Sequence, residues 1–126
     1  MEILSARVII HPRDLVVSRR FYERVLGLHV YREWSVGVAY FLGGGYLELS
    51  SVGPDAPTGS AHGTTTLWLQ ISTLSGLEAE LSGDGVTVRK PTEHMPWGLL
   101  ELWVEDPDGN ELRLVEVPPD HPLRRR

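Results

Sequence analysis

The chain has 126 residues, of which 41% are hydrophobic and 23% charged, and its formal net charge is −5. These values are typical of one globular domain or of two small modules that share a core, and the acidic balance argues against nucleic acid as a partner. The chain contains no cysteine, which excludes disulfides and metal sites built on thiolates.

The first half of the chain has the pattern of one strand, one helix and three further strands. The segment SARVIIHP has the apolar content of a strand. DLVVSRRFYERVLG then changes to helical spacing, with Asp14 as the expected cap and Gly27 at the end. Three predicted strands follow: LHVYREW, VGVAYFLG and GYLELSS.

The same order of elements recurs in the second half. Residues 52–63, VGPDAPTGSAHG, are rich in Pro, Gly and Ser and are predicted to be a linker. After it come the strand TTLWLQIS, the helix TLSGLEAELSGDG and the strands VTVRKP, LLELWVED and NELRLVEV. The repeat predicts two βαβββ modules that pair, module one at about 5–51 and module two at about 64–117. The proline-rich residues 118–126 are expected to form a loose tail.

Two motifs, RDLVVSRRFYERVLGL in the first half and EDPDGNELRLVE in the second, accompany this repeat. Together with it they resemble the vicinal oxygen chelate superfamily, which includes glyoxalase I, extradiol dioxygenases, fosfomycin-resistance enzymes and bleomycin-resistance proteins. The resemblance covers residues 5–117. It implies a single α+β domain, residues 1–117, in which two βαβββ modules form curved mixed sheets around a cleft, and it implies a homodimer. Because this fold hosts metal-dependent enzymes as well as non-enzymatic drug binders, it leaves the function open.

Metal-using members of the superfamily take their ligands from cleft-facing positions on the first and last strand of each module. Strand alternation places Arg7, Glu48, Thr66 and Arg113 at the corresponding positions of this chain. Only Glu48 could bind a divalent cation, because a guanidinium keeps its proton and has no lone pair to donate. We therefore expect no metal and no other cofactor.

The charged residues at these positions suggest polar anchoring instead. We expect Arg7, Glu48 and Arg113 to converge where the metal would lie. They could form a structural ion cluster, or one arginine could offer free guanidinium nitrogens to a carboxylate, phosphate or carbonyl oxygen of a ligand. His11 faces the cleft by alternation, and a pair of His11 or His94 with Glu48 would make a general base. Glu48 and His11 are thus the candidate catalytic residues.

Aromatic side chains form the second group of candidates. Trp68 is predicted to face the cleft, and Trp103 shares the polar face of its strand. Trp34 and Tyr40 lie in strands of the first module, and Trp97 lies in the loop EHMPWG. Three explanations stay open: a pocket for a planar or extended ligand, a dimer interface, and ordinary core packing.

The preferred hypothesis is a metal-independent protein of the bleomycin-resistance type that sequesters a small aromatic or polyfunctional drug or natural product. The expected ligand-binding residues are Arg7, His11, Trp34, Tyr40, Glu48, Trp68, Trp97, Trp103 and Arg113. One alternative is a metal-dependent glyoxalase-like lyase, epimerase or dioxygenase that uses Glu48 with His11 and His94. Another is a metal-free isomerase or cyclase of natural-product biosynthesis, with His11 or Glu48 as base.

The expected setting of the protein follows from two further features. No apolar run approaches the roughly 20 residues of a membrane-spanning helix, so no membrane partner is expected. The N-terminal segment MEILSARVII lacks the basic region and cleavage site of a secretory signal, and a cytoplasmic location is therefore expected.

Overall fold

The computed structural model describes residues 1–51 and 62–124. The chain divides into two compact units, Met1–His62 and Gly63–Arg126, and each contains one four-stranded mixed sheet. This confirms the predicted α+β architecture of two βαβββ modules. Most of the predicted linker, residues 52–61, lies outside the described residues. No helix in the described residues is long and apolar enough to span a bilayer.

The first unit follows the predicted order of elements. Its elements are β1 (Arg7–Ile10), α1 (Leu15–Arg20), a π-helical turn (Phe21–Val25), β2 (Val30–Trp34), β3 (Gly37–Leu42) and β4 (Gly45–Ser50). As predicted, the side chain of Asp14 caps the helix by accepting a hydrogen bond from the backbone N–H of Val17. Gly27 follows the helical segment with a φ of 75°, a conformation that favours glycine. The sheet order is β1-β4-β3-β2, with β1 parallel to β4.

Strand alternation divides the first sheet into a helix face and an open face. The helix face holds the side chains that the sheet buries completely: Val38, Tyr40, Leu47 and Leu49. Cross-strand partners lie on the same side of a sheet, so the pairs Arg7–Tyr46 and Ile9–Glu48 mark the open face. The apolar and polar positions of β1 and β4 therefore divide as the alternation predicts.

Tyr40, expected among the ligand-binding residues, is a core residue on the helix face. It is 0% exposed, and its hydroxyl donates a 2.7 Å hydrogen bond to Glu23 in the π-helical turn. Burial, together with this bond, raises the pKa of Tyr40 far above its usual value. The hydrogen bond from Arg19, which also pairs with Glu33, lowers the pKa of Glu23. Tyr40 thus links the helix to the sheet and does not reach the open face.

The second unit repeats the plan. Its elements are β5 (Thr66–Ile71), α2 (Leu77–Gly83), β6 (Val88–His94), β7 (Leu100–Glu105), β8 (Glu111–Glu116) and a 3-10 helical turn (Pro122–Arg124). The sheet order is β5-β8-β7-β6, with β5 parallel to β8. Leu102, Val104 and Leu112 are fully buried on its helix face. The side chain of Arg124 donates to the backbone oxygen of Val117, so part of the segment predicted to be a loose tail contacts the end of this sheet.

The turn between β7 and β8 is fixed by buried side chains. Oδ1 of Asp106 accepts the backbone N–H groups of Asp108 and Asn110, at 2.9 and 2.8 Å. Oδ1 of Asn110 accepts the backbone N–H of Thr65 just before β5, at 3.0 Å. These hydrogen bonds of the motif DPDGN hold the start of β8 beside β5. They therefore set the position of Arg113 in the sheet.

Candidate functional site

The first unit brings together two of the predicted anchoring residues. Nη1 of Arg7 lies 2.8 Å from Oε1 of Glu48, and the two side chains are 43% and 14% exposed. One oxygen of the Glu48 carboxylate thus accepts a hydrogen bond from a guanidinium, whose positive charge opposes the binding of a divalent cation at this carboxylate. The pair is a polar anchor on the open face of the first sheet.

An aromatic group lies beside this ion pair, and alternation predicts the orientation of one of its members, Tyr46. The rings of Tyr31 and Tyr46 stack with centroids 4.7 Å apart, and Phe41 lies 5.0 Å from Tyr31. The Arg7 guanidinium lies 5.7 Å from the centroid of Tyr46. Tyr31 and Phe41 remain 46% and 51% exposed, so their ring faces are available for contact. We call Tyr31, Phe41 and Tyr46 the first-sheet aromatic group.

A β-bulge explains why Tyr31 belongs to this group. The pairing of β2 with β3 shifts between Val30, which is opposite Tyr40, and Arg32, which is opposite Ala39. A bulge inserts one extra residue, which here carries Tyr31 to the open face together with Arg32. No repeating pattern in LHVYREW indicates this shift, whereas the pairing visible in the structure does.

Two other predicted residues of the first unit lie at its periphery. His11 is exposed, and its Nδ1 lies 3.0 Å from the backbone oxygen of Ser50. The structure shows no hydrogen bond between His11 and Glu48 within the described residues. Trp34 packs over Gly37, and the Arg32 guanidinium lies 5.5 Å from the ring of Trp34.

The open face of the second sheet carries a row of aromatic and cationic side chains. The strand register aligns Trp68, Arg113, Trp103 and Lys90 across all four strands. The guanidinium carbon of Arg113 lies 3.9 Å from the ring centroid of Trp103, and Nζ of Lys90 lies 5.4 Å from it. Trp68 is 47% exposed beside Arg113. We call these residues the second-sheet row; in it, cations alternate with indoles, and Trp103 has a cation at cation–π distance on either side along the row.

Arg113 is held by its Nε and by its stacking on Trp103. Its Nε donates to Oε1 of Glu111, while Nη1 of Arg89 donates to Oε2 of the same carboxylate at 3.1 Å. The hydrogen bond from Arg113, supported by that from Arg89, lowers the pKa of Glu111 below its usual value. Within the described residues, Nη1 and Nη2 of Arg113 make no hydrogen bond, so two nitrogens remain for an external acceptor.

A buried carboxylate lies next to this row, and the sequence did not single it out as a site residue. Glu101 is 2% exposed. Its Oε1 accepts the indole N–H of Trp103 at 2.8 Å, and its Oε2 accepts that of Trp97 at 2.6 Å. The sequence placed Trp103 and Glu101 on one strand face, but only the folded loop brings Trp97 to the same carboxylate.

The residues predicted at the metal positions of the superfamily are a poor ligand set for a divalent cation, because two of the four are arginines. Arg7 pairs with Glu48 in the first unit, and in the second unit Thr66 is paired across the strands with Glu111. His94 ends β6 as an exposed residue. Across residues 1–51 and 62–124, no group of three or more His, Cys, Asp or Glu side chains could hold a metal ion.

Solved structures with the same fold include enzymes and a binding protein. A glyoxalase-related enzyme from Fulvimarina pelagi has 21% identity and a TM-score of 0.78, covering 94% of this chain and 90% of its own. TnmS3, an antibiotic binding protein from Streptomyces sp. CB03234, has 19% identity and a TM-score of 0.75, covering 93% and 98%. Lactoylglutathione lyase from Agrobacterium tumefaciens has 18% identity and a TM-score of 0.71, covering 87% and 90%. At these identities the likeness shows the fold alone.

The sequence itself carries a more specific relation. No curated protein matches the chain at the significance required. A family model does match it, over residues 6–114, from just before β1 to within β8. The chain therefore belongs to the Glyoxalase/Bleomycin resistance protein/Dioxygenase superfamily.

Proposed function

We propose that the protein binds and sequesters a small molecule, of the drug or natural-product class, without a metal. The observation that carries this proposal is the second-sheet row, in which Arg113 lies between Trp68 and Trp103. Two nitrogens of its guanidinium make no hydrogen bond within the described residues. A guanidinium with its nitrogens free binds a carboxylate, phosphate or carbonyl oxygen. Exposed ring faces beside it give the contact area that a planar ligand requires.

The first unit offers a second set of contacts of the same chemical kind. The Arg7–Glu48 pair supplies one cation and one anion, and the first-sheet aromatic group supplies exposed rings. A polyfunctional molecule with rings and both kinds of polar group would suit these residues. The net charge of −5 favours ligands that carry positive charge outside the contact with Arg113.

The comparisons support a binding role without fixing the ligand. The superfamily includes bleomycin resistance proteins, and TnmS3, which shares the fold, is an antibiotic binding protein. Arginines occupy two of the positions predicted to correspond to metal ligands in other members, and a guanidinium cannot bind a metal ion. These residues therefore favour a binding role over metal chemistry. We propose that the binding unit is a homodimer, as is common in the superfamily.

The test is a titration of the metal-free protein with metal-free bleomycin and with anthraquinone-2-sulfonate. Tryptophan fluorescence is the signal that is monitored during each titration. We expect saturable quenching by at least one probe, unchanged by a chelator. Arg113→Met keeps most of the apolar side chain but removes the guanidinium, and we expect it to weaken binding about tenfold. Arg20→Met, a change of the same kind on exposed α1, is the matched control. If neither probe binds, or if binding requires an added divalent cation, the proposal is wrong.

A metal-free isomerase or cyclase is the second candidate, and the hydrogen bond of His11 favours it. Because a carbonyl oxygen only accepts, Nδ1 of His11 is the nitrogen that donates to Ser50, so in the neutral imidazole Nε2 is the nitrogen with the lone pair. Such an imidazole could act as a base beside the Arg7–Glu48 pair. Chemical change of a bound ligand, lost in His11→Gln or Glu48→Gln while binding persists, would establish this function. The metal-dependent lyase or dioxygenase alternative requires a stoichiometric divalent ion in the purified protein, which mass spectrometry would detect.

A further inference from the structure

Two indole N–H groups converge on one buried carboxylate in the second unit. Glu101 lies on the open face of β7 opposite Val115 on β8, two residue pairs along from the pair Trp103–Arg113 of the row. Both of its oxygens accept indole hydrogen bonds, at 2.6 and 2.8 Å, and the residue is 2% exposed. Burying an ionised carboxylate costs free energy unless the carboxylate accepts hydrogen bonds. Glu101 therefore needs these two hydrogen bonds as much as the two indoles do.

The backbone of Trp97 is fixed independently of its ring. The loop closes through a hydrogen bond from the N–H of Met95 to the oxygen of Leu99, at 2.8 Å. Gly98 has a φ of 90°, and the ring of His121 lies against it. Because Nδ1 of His121 accepts the N–H of Leu123, its Nε2 is the protonated nitrogen that donates to the oxygen of Trp97. The loop therefore holds the main chain, while Glu101 holds the 52% exposed ring.

We propose that Glu101 is a positioning residue of the ligand-binding surface, which fixes the orientation of Trp97 and Trp103 before a ligand arrives. This inference rests on the proposed function for its ligand. Since both indole N–H groups are engaged, the two tryptophans present ring faces and edges but no hydrogen-bond donors. Beside these two rings, the donors for an oxygen of the ligand come from Arg113, and farther along the row from Lys90 and the indole of Trp68. The surface is thereby suited to a planar aromatic molecule with a carboxylate, sulfonate or carbonyl oxygen at its edge.

The same carboxylate also explains the close stacking of Arg113. An indole whose N–H donates to an anion is more electron-rich, which favours a cation over its face. The 3.9 Å distance from the guanidinium of Arg113 to the ring of Trp103 is consistent with this effect. Glu101 thus acts on the ligand through Trp97, Trp103 and, indirectly, Arg113, without contact with the ligand.

The experiment compares Glu101→Gln with Glu80→Gln, a change of the same kind at an exposed position of α2 in the same unit. Anthraquinone-2-sulfonate is the probe for affinity, and indole N–H exchange by NMR reports the positioning directly. In Glu101→Gln we expect affinity about tenfold lower and faster exchange of one indole N–H, because the amide offers only one oxygen as acceptor. Glu80→Gln should leave both readings unchanged.

A double-mutant cycle with Trp97→Phe separates positioning from a general effect of charge. In the Trp97→Phe background only Trp103 needs an acceptor, and the single amide oxygen that Glu101→Gln leaves at this position can supply it. The affinity loss caused by Glu101→Gln should therefore shrink to less than about twofold in that background. An equal loss in both backgrounds, or unchanged indole exchange in Glu101→Gln, overturns the inference.

The two proposals can fail separately. If the wild-type protein binds neither probe, the proposed function fails, while slow exchange of two indole N–H groups still reports the role of Glu101. If the wild-type protein binds and Glu101→Gln binds equally well, Glu101 has no positioning role. If Glu101→Gln does not fold, the wild-type exchange rates remain measurable, with Trp97→Phe and Trp103→Phe used to assign the resonances. Fast exchange of either wild-type indole N–H then overturns the inference.

Discussion

Replacing Tyr40 by phenylalanine removes one hydroxyl group from the core of the first unit. That hydroxyl donates to Glu23 at 2.7 Å, whereas the contact with the ring of Tyr22 does not depend on it. A hydrogen bond to a charged group contributes about 1.5–3 kcal/mol to the free energy of unfolding. Since the Glu23 side chain is 26% exposed, water can replace part of the lost bond. We therefore expect Tyr40→Phe to lower the free energy of unfolding by roughly 1 kcal/mol.

Urea and thermal unfolding followed by circular dichroism measure this loss. For a chain of this size, about 1 kcal/mol lowers Tm by roughly 3–6 °C. Tyr46→Phe is the matched control, because the Tyr46 hydroxyl makes no hydrogen bond within the described residues, and its effect should stay within about 0.5 kcal/mol. Probe binding should be unchanged in Tyr40→Phe. Wild-type stability combined with weakened binding would refute the placement of Tyr40 beneath the helix.

Two further substitutions test the packing of the first sheet and the charges of the second. A Cβ atom at Gly37 would lie 2.6 Å from the ring of Trp34, so we expect Gly37→Ala to lower the free energy of unfolding by about 1–3 kcal/mol. A Cβ atom at Gly44 would have no atom within 4 Å, so Gly44→Ala should be nearly neutral. Urea unfolding measures both changes. Arg113 is the chief cause of the lowered pKa of Glu111. At pH values above the ordinary carboxyl pKa, the free energy of unfolding of the wild type should therefore exceed that of Glu111→Gln by roughly 1 kcal/mol. That difference should disappear as the pH falls through the lowered pKa; a difference independent of pH, measured by urea unfolding, would contradict the ion pair.

The order of elements could be predicted because it depends on local patterns. Asp14 was predicted to cap the first helix, and Gly27 to end it, from residue types that favour these positions in any helix. The alternation of Leu47 and Leu49 with polar residues fixed the helix face of β4. These are properties of short segments, which the sequence expresses directly.

The composition of the open faces could be predicted only in part. Tyr40 and Phe41 are neighbours of similar size that alternation places on opposite faces, and the acceptor for the buried hydroxyl of Tyr40 lies on another element, at Glu23. Tyr31 reaches the open face through a bulge, which strand alternation cannot reveal. The burial of Glu101 requires Trp97 to fold back from a loop. Each of these features depends on a contact between segments rather than on the pattern within one.

The parallel pairing of β1 with β4 has a consequence for the order in which contacts form. Strands β2, β3 and β4 are joined by short turns, whereas the Arg7–Glu48 contact spans 41 residues. The chain entropy lost on closing such a long segment delays pairing relative to local hairpins. Strand β1 is only four residues long and lies at the end of its sheet, so its amide hydrogens should exchange with solvent earlier than those of β3 and β4. The Arg7–Glu48 contact therefore depends on a short edge strand, and local opening of β1 would break this contact without unfolding the rest of the sheet.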